Sequence, residues 1–196
     1  MGTRATETAE RKKRCVDAAV ALAAEGGYDA VQMRDVAAKA EVALGTLYRH
    51  YASKDQLLLA AMLQQTETLR ERLVQRPPRG DTPAARVGDV LRRASRALER
   101  DPKTTRAMLN AMSSEDESAV PVKHDIDQTL RAIIADAIAN HPQASWGGGE
   151  RVDRLDDIVH VLGSVWFAEL TYWTNGLSTA TAMADNLGRA ASLVLP

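Results

Sequence analysis

The tightest constraint on this chain is its punctuation. Helix-start signals recur at Ser53-Lys54-Asp55-Gln56, Thr82-Pro83 and Asp101-Pro102, and each is followed by apolar residues at helical spacing. Strand-period alternation of Val, Ile and Thr is absent from the 196 residues, and alanine is abundant. An all-α fold of about nine helices is predicted. From Glu10 to Glu25 the apolar Val16, Ala19, Val20 and Ala23 follow i, i+3, i+4, i+7. Gly26-Gly27 stops that helix, because glycine takes a left-handed cap at no steric cost. Short helices are predicted at 32–40 and 43–51, and a long one at 53–75. Further helices follow from Thr82, from Asp101, over 121–140, over 150–174 and over 178–195. Trp146-Gly147-Gly148-Gly149 reads as a flexible connector.

Charge divides along the chain. The net charge of −1 splits into +2 over residues 1–54, +3 over 55–100 and −6 over 101–196. The first hundred residues would attract a polyanion and the rest would repel one. The single Cys15 rules out a disulfide framework and a thiolate zinc site, and fits a reducing, cytoplasmic setting. The polar, charged stretch Met1–Cys15 does not read as a signal peptide, so none is expected. The longest apolar run, Ile158–Leu170, is interrupted by His160 and Glu169 and is too short to span a bilayer, so no membrane role is expected.

The informative segment is VQMRDVAAKAEVALGTLYRHYASK, Val31–Lys54. Two short helices with small Ala37 and Ala40 at their crossing form a helix-turn-helix. Leu47 and Tyr51 pack inward, while Thr46, Tyr48 and Arg49 point out. The first helix must supply the third wall, because an isolated pair cannot bury its own faces. A three-helix head with an exposed polar helix has the shape that enters a major groove. The basic run Arg4, Arg11, Lys12, Lys13 and Arg14 has two readings, a DNA contact or a solvated helix end.

The run LGTLYRHYASKDQL, preceded by VQMRDVAAKAEV, resembles the DNA-binding head of TetR-type repressors over about residues 11–60. The resemblance implies a head at 1–52 and a helical effector-binding and dimerisation domain at 53–196. It places Leu44, Thr46, Tyr48 and Arg49 against bases and phosphates. Lys54 would hold one phosphate, and Gln32, Met33 and Arg34 another at a helix start. Arginine can pair bidentately with guanine, whereas a tyrosine hydroxyl on a phosphate sets register only. Two positions depart from the pattern. Leu44 replaces the usual lysine, which lowers the salt dependence and suits a thymine methyl. Glu41 replaces the usual turn glycine, which implies mild strain or a different turn. With the helix containing RDPKTTRAMLNAM, the chain further resembles actinobacterial repressors of cholesterol and steroid catabolism, which implies a steroid-derived acyl-CoA effector.

The expected product is a dimeric repressor on a palindromic double-stranded operator, released by a small hydrophobic effector. Met62, Leu69, Leu98, Met108, Leu109, Met112, Leu130, Val165, Trp166 and Leu170 are the expected effector lining, against the alternative that they are filled core. The last two helices carry surplus apolar surface and are the expected homodimer face. A DNA-binding protein without a ligand, of nucleoid type, is the alternative; a void of a few hundred Å³ would separate the two. An enzyme is not expected. His50, His124, His141 and His160 lack a second ligand at metal spacing, and neither HExxH, GxSxG, Walker A nor GxGxxG occurs. Asp125/Asp127 and Asp153/Asp156/Asp157 read as solvated helix faces. No cofactor or metal is implied.

Overall fold

The computed structural model describes residues 2–140 and 154–195, without the side chains of 2–4. The Trp146–Gly149 connector, His141, Asp153 and the expected start of the 150–174 helix lie outside the described residues, as does the Arg4 side chain. Among the described residues there are nine α-helices and no strand. They are α1 (Gly2–Gly26), α2 (Met33–Lys39), α3 (Leu44–His50), α4 (Lys54–Gln75), α5 (Pro83–Leu98), α6 (Pro102–Met112), α7 (Val120–Ala139), α8 (Leu155–Thr174) and α9 (Ala180–Val194). No described helix is long and apolar enough to cross a membrane.

The helix boundaries follow their caps. Thr82 accepts from the Ala85 amide at 3.2 Å with Pro83 behind it, and Asp101 accepts from the Thr104 amide at 3.2 Å ahead of Pro102. Gly27 takes φ 73°, and a Cβ on Gly26 would lie 2.7 Å from Ala30 Cβ. The two glycines thus serve different needs: one a left-handed backbone, the other space. Helix α1 begins eight residues earlier than the apolar period predicts. Its charged first turns are continued by i, i+4 pairs, Glu7–Arg11 at 3.4 Å and Lys13–Asp17 at 2.6 Å. A 3-10 turn at Tyr28–Ala30, which periodicity cannot show in three residues, joins α1 to α2.

The chain forms two compact units: Met1–Gln64 with Asp101–Asp125, and Gln65–Arg100 with Ile126–Pro196. The first is larger than a helix-turn-helix, because α6 packs on α1 and on the 3-10 turn. Thr104, Thr105 and Met108 are buried there. Thr104 Oγ1 donates to the Val20 carbonyl at 3.4 Å and Lys103 Nζ to the Glu25 carbonyl at 3.0 Å. A boundary at 52/53 separates α6 from these partners, since sequence shows α6's apolar face but not which helix covers it.

In the second unit α9 buries Met183, Leu187 and Ala191 and packs against α5 and α8. Helices α5 and α9 pass one another at Gly88 and Gly188, where a Cβ on Gly88 would lie 3.8 Å from Gly188 Cα, an ordinary van der Waals distance. Arg86 is buried, and its guanidinium donates to the carbonyls of Ala137 at 2.7 Å and Ile138 at 2.8 Å. It thereby caps the carboxyl end of α7 with a positive charge.

The turn between α2 and α3 keeps its shape without glycine. The amide of Val42 donates to Ala37 O at 3.0 Å and that of Glu41 to Ala38 O at 3.2 Å, which is a Schellman closure. Glu41 occupies its left-handed position at φ 54°. Left-handed backbone costs a residue with a Cβ about 1–2 kcal/mol, against the ~0.5–1 kcal/mol that glycine loses in ordering. We expect Glu41→Gly to stabilise the fold by up to about 1 kcal/mol. A lower urea midpoint in the variant would contradict this account of the turn.

Candidate nucleic-acid interface

Helix α3 is seven residues long, too short to be stable alone, so its orientation is set by what it buries. Leu47 is fully buried and Tyr51, its C-cap residue, is 9% exposed. Burial pushes the Tyr51 phenol up to about 12, consistent with an inward ring. With those two side chains inside, Tyr48 is 50% exposed, Arg49 is exposed and Thr46 is half-buried. Arg49 Nη2 donates to Thr46 Oγ1 at 3.0 Å, so the two expected base readers lie together on the outer face. Leu44 is half-buried at the start of the helix.

Neither α2 nor α3 has a side-chain cap at its start. At α2 the Gln32 side chain turns away to the Asp29 carbonyl at 2.9 Å, Arg34 is exposed and Met33 is half-buried. Arg14 Nε donates to the Ala40 carbonyl at 3.1 Å, tying α1 to the end of α2. Among the basic residues of α1, Arg14 is therefore a structural clamp, while Lys12 lies near His50.

His50 was not singled out by its spacing. It is half-buried at the end of α3, and burial first, then the charges of Lys12, Arg49 and Arg11, push its pKa below the usual 6.5. That effect maps a cluster of cations from α1 and α3 around one imidazole. Only the folded head brings it together, because Lys12 and His50 are far apart in the chain.

Lys54 opens α4 and is anchored rather than free. Its Nζ lies 3.7 Å from the centroid of the Tyr28 ring and 3.4 Å from the Tyr28 carbonyl. The Tyr28 hydroxyl donates to the buried Asp55 at 2.5 Å. Burial and the Asp55 carboxylate together push the Tyr28 pKa well up. The Ser53 hydroxyl accepts from the Gln56 amide at 3.0 Å, and Gln56 Oε1 accepts from the Ala52 amide at 2.6 Å. The capping box thus closes one residue further out than its usual form. Ser53 also donates to Asp116, whose pKa is lowered first by that bond and then by Ser118. Sequence spacing marks Ser53, but not Tyr28 or Asp116.

The expected effector residues separate. Met62, Met108, Leu109 and Met112 belong to the first unit, where Met108 is fully buried core. In the second unit Leu69, Leu130 and Trp166 line an apolar cavity of about 60 Å³ with Val90, Ile133 and Leu162. Leu98 and Leu170 are buried and Val165 half-buried, and none of the three lines that cavity. The Trp166 indole donates to Ser95 Oγ at 3.1 Å. Among the described residues no His, Cys, Asp and Glu group could hold a metal ion. Asp127 and Asp156 are engaged by Arg131.

Residues 16–61 match the family described as bacterial regulatory proteins, tetR family, and residues 80–194 match the tetracyclin repressor-like C-terminal domain. The chain belongs to the tetR family. The regulator is 36% identical to the HTH-type transcriptional repressor KstR of Rhodococcus jostii, over 95% of this chain and 83% of that protein. A crystal structure of a TetR transcriptional regulator from Rhodococcus sp. RHA1 superposes with a TM-score of 0.85 at 30% identity, covering 96% of this chain and 97% of that one. Thermus thermophilus FadR, a repressor crystallised with lauroyl-CoA, shares the fold at 20% identity and a TM-score of 0.70, over 93% and 92% of the two chains. The regulator is thus a helix-turn-helix transcriptional repressor by family and by relatives.

Two measurements follow from this geometry. Tyr28→Phe leaves the Asp55 carboxylate buried without its phenolic donor, and we expect a loss of about 1–3 kcal/mol in chemical denaturation; an unchanged midpoint would show the bond to be incidental. For His50 the folded state resists a proton that the unfolded chain accepts near 6.5. Its stabilising effect is present above that pH and is lost as the pH falls below it. Stability compared at pH 7.5 and pH 5.5 should therefore fall less on acidification in His50→Gln than in the parent.

Proposed function

We propose that the regulator binds a palindromic double-stranded operator as a homodimer and leaves it when a hydrophobic effector binds the second unit. The observation carrying the DNA reading is the outer face of α3. Leu47 and Tyr51 are locked inside, which leaves Thr46, Tyr48 and Arg49 on the side that faces solvent. In this reading Arg49 contacts a base edge, Thr46 gives a hydrogen bond or methyl contact, and Tyr48 holds a phosphate. Leu44 touches a thymine methyl. Lys54, steadied by Tyr28, and the uncapped start of α2 at Gln32, Met33 and Arg34 take flanking phosphates.

Homodimerisation through α8 and α9 is supported by apolar side chains left in solvent. Val161, Phe167 and Tyr172 on α8 are 41%, 37% and 50% exposed, and Leu193 on α9 is 84% exposed. A symmetric pair of these helices makes a four-helix bundle and sets the spacing of two half-sites. A single head makes too few contacts to hold an operator at physiological salt.

The effector reading rests on the apolar cavity around Leu69, Leu130 and Trp166, and on the resemblance to repressors of steroid catabolism. An acyl-CoA, steroid-derived for this subgroup, is the effector class. Its apolar part must part the helices, because 60 Å³ is far below the ~300 Å³ at which ligand sites begin. Helix α4 is continuous from Lys54 to Gln75, so a tilt at its far end is carried to the residue that holds a phosphate.

Selection of bound sequences from random duplexes tests the whole reading; a palindrome with a fixed centre is expected. Arg49→Ala should cost about 1–3 kcal/mol at one base position and relax preference there. Lys54→Ala should weaken all sequences alike and reduce the salt slope by about one. Recovery of the same consensus by the Arg49→Ala protein would remove Arg49 from the readout.

A further inference from the structure

Helices α8 and α9 share a polar cluster that neither the DNA face nor the apolar cavity uses. Glu169 of α8 and Asn186 of α9 are half-buried, and Asn186 Nδ2 donates to Glu169 Oε1 at 2.7 Å. Asn186 Oδ1 in turn accepts from Arg189 Nη2, and Arg189 is exposed. Asn186 thus stands between two opposite charges and bonds to both. The second carboxylate oxygen, Glu169 Oε2, is buried and has no hydrogen-bond partner among the described residues. A carboxylate oxygen withdrawn from water without a donor is destabilising, more so than a neutral acceptor. The guanidinium has five N–H donors, and its bond to Asn186 engages one nitrogen. Each chain therefore presents an unmet acceptor and an exposed set of donors of opposite charge on one pair of helices.

The cluster lies in a stripe with the spacing of a helix-pairing seam. Val161, Val165, Ala168 and Tyr172 recur at i, i+4, i+7, i+11 along α8, and Ala182, Asn186, Arg189 and Leu193 repeat that spacing along α9. None of the eight is buried, and Val161, Tyr172 and Leu193 are large apolar side chains in solvent. In such a seam an isolated polar position fixes register and partner at some loss of stability. Apolar side chains accept almost any apolar face, whereas a charge that is about to be desolvated accepts only its complement.

We propose that Glu169 and Arg189 are a self-recognition pair, in which Arg189 of each copy reaches the Glu169 carboxylate of the other and Asn186 steadies both side chains. This rests on homodimerisation through α8 and α9 and adds what that face selects: a second copy of this chain over another helix pair of similar apolarity. A two-fold axis makes the contact reciprocal, because every copy carries both halves. The terminal torsion of a glutamate is soft, so the carboxylate can turn its unmet oxygen outward as the faces close. The apolar stripe supplies burial, and the charged pair supplies the choice of partner.

The test uses the full chain in two differently tagged variants. In Glu169→Arg two positive charges meet across each contact, and in Arg189→Glu two negative ones. Each variant alone should dissociate at least about tenfold more readily than the parent in sedimentation equilibrium. Mixed, the two place opposite charges at both contacts, so a heterodimer should form with the affinity of the parent and carry both tags through a two-step purification. If the cluster only ties α8 to α9 within one chain, mixing restores nothing, and that result overturns the proposal. Single variants that dimerise as the parent does overturn it too. Arg189 is exposed, so Arg189→Glu should fold. The helical signal in circular dichroism checks both variants, and Glu169→Lys with Arg189→Asp repeats the test where either fails that check. Val161→Asp separates this proposal from the dimer reading, since it charges the apolar stripe and leaves the cluster intact. A monomeric parent, or a Val161→Asp protein that dimerises unchanged, removes the α8–α9 face and the proposal with it. Loss of the dimer in Val161→Asp but in neither cluster variant keeps the face and sinks the pair alone.

Discussion

The outward face of α3 depends on the burial of Leu47 and Tyr51. A seven-residue helix has too few internal hydrogen bonds to hold itself. Its rotation about its own axis is set by which two side chains the head accepts. Fully burying one leucine contributes roughly 1.5–3 kcal/mol, enough to select one rotation over its neighbours. Once Leu47 and Tyr51 are inside, Thr46, Tyr48 and Arg49 have no position but the outer face. The polar surface is therefore a consequence of core packing. Arg14, reaching from α1 to the carbonyl of Ala40 just past α2, ties the two helices together at the turn.

The start of α4 is built on the same logic with polar contacts. Ser53 caps the helix and also bonds Asp116, so one hydroxyl ties two distant stretches of chain. Tyr28 places its hydroxyl on Asp55 and its ring under Lys54. The lysine stem and ammonium are thereby limited to few rotamers, which would lower the ordering cost of any further contact. Only a backbone with φ near 73° at Gly27 turns the chain from α1 into the short 3-10 segment that carries the ring.

What could be read from the sequence was local. The caps at Thr82 and Asp101, the stop at Gly26-Gly27 and the inward pair in α3 each depend on residues within a turn of one another, and the structure shows them. Glu41 was visible as an anomaly in the turn, and its φ of 54° shows which of the two expected outcomes holds. What could not be read was partner choice. The apolar face of α6 is plain in the sequence, but that Met108 fills the head and not a cavity depends on α1, more than eighty residues away. His50 gains its cationic surroundings, and Arg86 its carbonyl cage, only by folding. The arginines of 55–100 show in the sequence only as a net charge of +3, and that six of them line one cleft follows from folding.

The small size of the apolar cavity bears on how an effector can act. A ligand shifts an equilibrium only by its difference in affinity between two states. A preformed cavity of several hundred Å³ would accept the ligand in either state and supply little difference. A void of about 60 Å³ rejects a large apolar group unless the surrounding helices separate, so binding is tied to the open arrangement by sterics alone. The penalty for opening then has to be met by contacts that are made only in the open arrangement.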